Sequence, residues 1–161
     1  MKKIFIGSSK QSLNIANAVQ RSLKSVLGRG FSIKVWNQNV FPLSETFIET
    51  LCLAANEEYD FAIFIFSPDD IKVFDDKEFF EARSNVIFEY GLFTGTLNRN
   101  KVFVVSPSDC ENFIIPSDIS GATFAQYEHK KTIGANDVQL KEIVQSACLA
   151  IKLAIKKRQT E

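Results

Sequence analysis

The chain has 161 residues, 45% of them hydrophobic, and its 19 Lys and Arg balance 19 Asp and Glu. That length fits a single domain with one sizeable core, and the zero formal net charge gives no long-range attraction for nucleic acid or for an anionic membrane surface. Three widely spaced cysteines, Cys52, Cys110 and Cys148, form no C-x-x-C pair, which argues against a disulfide framework or a zinc site and for a reducing, cytoplasmic setting.

The first apolar run, residues 4–6, stops at Gly7-Ser8-Ser9 and is too short for a signal-peptide core. No other segment has the length of a membrane span, so a soluble domain is expected. The run reads as a strand and a turn, followed by Leu13, Ile15, Ala16, Val19, Leu23 and Leu27 at helical spacing. Gly28 and Gly30 close that helix, residues 31–36 alternate as a second strand, and residues 37–42 carry the polar and proline punctuation of a loop. A second helix is expected over about 44–56. Residues 61–66 are apolar without alternation, the pattern of a central strand covered on both faces. Pro68 ends it, the charged segment 69–81 reads as a surface loop, and residues 83–95 read as a buried helix.

A fourth strand is expected over 101–105, closed by Pro107, and a short fifth over 123–127. Apolar positions from Val138 to Ile155 populate one long terminal helix, with about 150–161 as its end or the start of a linker. Its Lys152, Lys156, Lys157 and Arg158 complement the negative end of the helix dipole. Fifteen Phe against one Trp and one Met point to an aromatic-rich core. The alternation predicts one α/β domain over 1–161, a doubly wound, flavodoxin-like three-layer αβα fold around a five-stranded parallel sheet.

Ligands of such sheets bind outside the carboxyl ends of the strands, where strand order reverses. Ser8 and Ser9, Trp36 and Asn37, and Asp69 and Asp70 all leave strands at that rim. Glu89 is the one carboxylate in the apolar run of residues 83–95. Burying an ionised carboxylate is costly unless it is paired or its pKa rises, so Glu89 is either masked by a partner or held for a charged substrate. Gly7-Ser8-Ser9 ahead of a helix offers N–H groups and hydroxyls to a phosphate, or simply a helix cap. Asn85 lies four residues before Glu89 on the same helical face, with Arg83 just upstream. The pair reads equally as one wall of a site or as an Asn cap beside an Arg83–Glu89 ion pair. His129, the only histidine, falls in a polar segment and reads as a solvated loop residue, which disfavours Ser-His-Asp and Cys-His hydrolases.

Several segments together resemble the prokaryotic TIR-like nucleotide-binding family of bacterial antiphage defence, whose members are often joined to STING-type sensors. They are Phe5-Ile6-Gly7-Ser8-Ser9, Val35-Trp36 with Val40-Phe41-Pro42, Asp60-Phe61-Ala62-Ile63-Phe64 with Pro68-Asp69-Asp70, residues 83–97, and Ile115-Pro116-Ser117-Asp118 with Gly121. The likeness covers nearly the whole chain and is most specific over 85–95. Ala82 and Ser84 depart from the Pro and Asp that often flank the arginine, and Asn98 from the usual Gly before Arg99.

The resemblance implies cleavage of NAD⁺ to nicotinamide and ADP-ribose, linear or cyclised, with Glu89 as the catalytic glutamate. NAD⁺ enters as substrate, with no further cofactor and no metal. The 37–46 loop would serve self-association, and a fused or associated cyclic-dinucleotide sensor would supply the trigger. On this reading Ser8, Ser9 and Arg83 face the pyrophosphate or a ribose, Trp36 or Phe41 stacks on an aromatic ring, and Asn85 positions Glu89 or a ribose hydroxyl. The competing roles are helix caps for the serines, an ion pair for Arg83 and core packing for the two aromatics. Two other functions fit the same residues: a non-catalytic assembly or nucleotide-binding module, and a nucleoside deoxyribosyltransferase-like enzyme whose glutamate attacks the anomeric carbon.

Overall fold

A computed structural model of the chain describes residues 1–38, 47–53, 55–56, 59–119 and 124–159. Five strands form the central sheet: β1 (Lys2–Gly7), β2 (Phe31–Val35), β3 (Phe61–Ile65), β6 (Val102–Pro107) and β8 (Phe124–Tyr127). All neighbours are parallel and the order is β2-β1-β3-β6-β8, the flavodoxin-like arrangement, with its switch point between β1 and β3. Ile4 sits opposite Ile33 on one side and Phe61 on the other, and Ile63 opposite Phe103.

Strand alternation gives each face of the sheet its own core. Ile4, Ile6, Ile33, Val35, Ile63 and Ile65 meet Ile15, Val19 and Leu23 of α1 (Leu13–Leu27) together with α5 (Asp137–Ile143) and α6 (Gln145–Gln159). On the other face Phe5, Ala62 and Phe64 pack with Leu51 of α2 (Phe47–Leu53) and with Val86, Tyr90 and Phe93 of α3 (Ser84–Leu97). The expected aromatic core is on this side. Phe5 stacks on Phe93 with centroids 4.7 Å apart, and Phe64 makes edge contacts with Tyr90 and Phe93, geometries that add to simple burial. Gly7 is required by this packing, because a Cβ there would lie 2.5 Å from the Phe64 ring.

Three expectations change. The segment 69–81 is not a loop: it folds into an antiparallel hairpin of β4 (Asp70–Phe74) and β5 (Lys77–Glu81), extended by β7 (Phe113–Ile114) into a second, three-stranded sheet. Asp75 and Asp76 take positive φ of 49° and 57° at its tip, the left-handed pair whose twist suits a two-residue hairpin turn. The terminal helix is two helices, broken at Val144, which caps α5. Asn136 and Gln139 start α5 with a reciprocal capping box. His129 is not a solvated loop residue. It opens the short helix α4 (His129–Thr132), half-buried, with its backbone N–H bonded to the Asp109 carboxylate at 2.6 Å. The start of the second helix expected near Ser44 lies outside the described residues. Among the described residues no helix is long and apolar enough to cross a membrane.

Candidate functional site

The carboxyl ends of β1, β2 and β3 carry a connected set of polar side chains. Ser8 and Ser9 leave β1 and are buried, yet neither caps α1, which starts at Leu13 with Ser12 in the cap position and no side-chain cap bond. Ser9 Oγ instead accepts from the Ser12 N–H and shares a 2.9 Å bond with the Ser12 hydroxyl, while Ser8 Oγ donates to the Ser9 carbonyl. Trp36, at the end of β2, donates its indole N–H to Ser8 Oγ at 3.0 Å. Because β1 and β2 are adjacent and parallel, residues 28 apart in sequence meet at the same rim. The indole also packs against both cores, so its position is fixed from three sides.

Asp69 extends this set past β3. Its Oδ1 accepts from the Ser67 hydroxyl at 2.9 Å, while Oδ2 is buried without a hydrogen-bond partner. Burial raises its pKa, offset by Ser9 and Ser67 and by the Arg83 charge; Ser9 is near enough to favour the ionised form but falls short of hydrogen-bond geometry with Oδ2. The sequence places Asp69 at the rim without marking it as a ligand, and the sole signal was an acidic pair directly after a buried strand.

Arg83 pairs with Asp70 at 2.9 Å and not with Glu89. The ion pair ties the first residue of the hairpin to the cap residue of α3, and because both partners are about one-third exposed it adds little to stability. The Asn-cap reading also fails, since Arg83 occupies the cap position and Asn85 is an exposed residue inside α3 with no hydrogen bond to Glu89. Phe41 and most of the 37–46 loop lie outside the described residues.

Glu89 sits in the second turn of α3, between Phe88 and Tyr90, and is 8% exposed. Among the described residues it has neither a hydrogen bond nor an ion-pair partner. Burial alone lifts its carboxyl from an ordinary 4.5 to about 7, with no counter-charge opposing the rise. The candidate residues therefore fall into two sets. Ser8, Ser9, Trp36, Asp69, Asp70 and Arg83 are linked by hydrogen bonds or charge, whereas Glu89 and Asn85 stand apart from that network. Such a constellation can offer hydroxyls and a guanidinium to polar parts of a ligand, and an uncompensated carboxylate to a developing positive charge. Among the described residues no cluster of His, Cys, Asp and Glu is suited to hold a metal.

Comparison with known proteins identifies the family. The family described as CAP12/Pycsar effector protein, TIR domain, matches residues 3–129, from β1 to the start of α4. CD-NTase-associated protein 12 of Flavobacterium daejeonense is 39% identical over 131 residues, covering 81% of this chain and 39% of that protein. The Pycsar effector protein PaPycTIR of Pseudomonas aeruginosa is 34% identical over 154 residues, covering 96% of this chain and 47% of its own length. CD-NTase-associated protein 12 of Niabella drilacis is 35% identical over 147 residues, 86% of this chain and 45% of that protein. The chain thus spans less than half the length of these curated relatives. With the parallel sheet, the strand order and the matched segment in agreement, the chain belongs to the CAP12/Pycsar effector TIR-domain family.

Proposed function

We propose that this chain is the NAD⁺-cleaving effector domain of a bacterial antiphage system, releasing nicotinamide and leaving ADP-ribose, linear or cyclic. The observation that carries the reading is Glu89, a buried carboxylate with no counter-charge among the described residues and a pKa lifted to about 7. A structural ion pair is disfavoured because Arg83, the nearest cation in sequence, is engaged by Asp70.

Nicotinamide departs from NAD⁺ as a neutral base, so no general acid is needed at the leaving group, unlike ordinary glycoside cleavage. What the reaction needs is an anion beside the anomeric carbon as positive charge builds there. In a site shielded from water one such group contributes about 3 to 4 kcal/mol. The pyridinium charge of bound NAD⁺ also favours the ionised form of Glu89 over the protonated one, so the substrate itself readies the residue. Arg83 keeps guanidinium donors beyond the one held by Asp70, suited to the pyrophosphate or ribose hydroxyls; Ser8 and Ser9 would join it by exchanging their present bonds to the Ser9 carbonyl and Ser12, and Trp36 presents an aromatic surface beside Ser8.

The names of the relatives, CD-NTase-associated protein and Pycsar effector protein, support coupling to cyclic-nucleotide signalling through a sensor. Self-association is the proposed route from that signal to activity. The test is nicotinamide release by artificially clustered protein. Glu89→Gln is expected to lower turnover about 100-fold or more with the fold intact; full activity in that variant would end the proposal. Transfer of deoxyribose between free bases with NAD⁺ untouched would favour the deoxyribosyltransferase reading.

A further inference from the structure

A cavity of about 280 Å³ lies at the amino ends of the parallel strands, opposite the rim that carries the serines. It opens where β6 and β8 begin, between Tyr90 of α3 and the face of α6 that carries Ala150, Ile151, Ala154 and Arg158. Most of its wall is apolar, including Phe103 and Phe124, and its polar groups are concentrated in Arg99, Asn100 and Arg158. Among the described residues no carboxylate lines it and neither arginine has an ion-pair partner. The sequence expectation for Arg158 was a cation complementing the negative end of the helix dipole. Its guanidinium folds back over the Phe103 ring, 4.8 Å from the centroid, and its Nη1 is buried with no hydrogen-bond partner among the described residues. A charged donor stripped of water and given no acceptor is costly, and native structures rarely leave one so. Apolar walls with a few convergent polar groups are the usual make-up of a small-molecule site.

We propose that this cavity binds a phosphomonoester whose organic body ends in a flat aromatic ring, as in a nucleoside monophosphate. Two guanidiniums without counter-ions among the described residues call for an anion near charge −2, which a phosphate monoester has at neutral pH and a carboxylate does not. The planar donor fork of arginine matches phosphate oxygens, and Asn100 adds an amide donor. Phe124 and the apolar walls take the body that a free inorganic phosphate lacks. Tyr90 adjoins Glu89 on α3, so an occupant touches the helix that carries the rim carboxylate. The proposal nevertheless stands independently of any chemistry at Glu89.

The probe is adenosine 5′-monophosphate, titrated by NMR and calorimetry into the full 161-residue chain, with adenosine and inorganic phosphate as controls. The expected result is saturable binding that moves the backbone signals of Phe103 and Phe124 while leaving the single indole N–H signal of Trp36 at the rim in place. Adenosine and phosphate should each bind at least tenfold more weakly than the nucleotide. Arg99→Gln, at an exposed position, and Arg158→Gln should each weaken binding about tenfold; the first variant keeps the test decisive if the second folds poorly. Absence of binding at millimolar nucleotide, equal binding of adenosine, affinity unchanged in Arg99→Gln, or shifts confined to Trp36 would each overturn the proposal.

Discussion

Whatever it does for activity, burying Glu89 has a cost in stability. Its carboxyl titrates at about 7 in the folded chain against an ordinary 4.5. Below pH 4.5 it is neutral in both folded and unfolded states and carries no penalty. Between 4.5 and 7 the unfolded chain ionises first, so stability falls as pH rises; above 7 the penalty is constant. That gap corresponds to about 3 kcal/mol as an upper bound. Glu89→Gln places a neutral amide where the protonated acid sits. It is therefore expected to stabilise the fold by up to about 3 kcal/mol at pH 8 and by almost nothing at pH 4, as read by urea denaturation at the two pH values. A structural carboxylate with a hidden counter-charge would give the opposite sign at pH 8, because its removal would strand a buried cation. Natural sites often hold a group that lowers stability in return for function, and Glu89 fits that pattern.

At the scale of elements, β1 and β3 meet where Gly7 lies against Phe64. A methyl group at position 7 would sit 2.5 Å from that ring, and the ring cannot swing aside, being held by Phe5, Tyr90 and Phe93. Gly7→Ala should cost about 1 to 3 kcal/mol, measured by denaturant unfolding, and adding Phe64→Leu should recover part of the loss; an unperturbed Gly7→Ala variant would mean that the ring yields. The parallel sheet was legible because residues 61–66 are apolar on both faces and the 13–27 segment keeps helical spacing, signals that survive without tertiary context. The β4–β5 hairpin was not, because most of its residues are exposed, so no core imposes the alternation that marks a strand, and its charges mimic a loop. The break at Val144 has no Gly or Pro to announce it, although the Asn136 and Gln139 caps that start α5 were there to be seen. Glu89 stood out by contrast with its neighbours. The partner of Arg83 did not, since Asp70 comes from the hairpin and is set by the fold.

For the whole molecule, the strand order puts Trp36, Ser8, Ser9 and Asp69 side by side across the β2, β1 and β3 ends, while positive and negative residues cancel over the chain. With no net charge, copies of the chain neither repel nor steer one another over long distances, and association must come from short-range contacts that salt screens weakly. If activity requires several domains to come together, as proposed, NAD⁺ cleavage per molecule should rise with protein concentration. That rise should shift by no more than about twofold in midpoint between 0.05 and 0.5 M NaCl, since charges over a Debye length apart are already screened at the lower figure. The measurement is nicotinamide release across a hundredfold range of protein at both ionic strengths, with sedimentation velocity on the same samples. Specific activity that stays constant across that range would show that one protomer suffices, and a midpoint that moves tenfold or more with salt would place charged patches, rather than apolar contact, at the association surface.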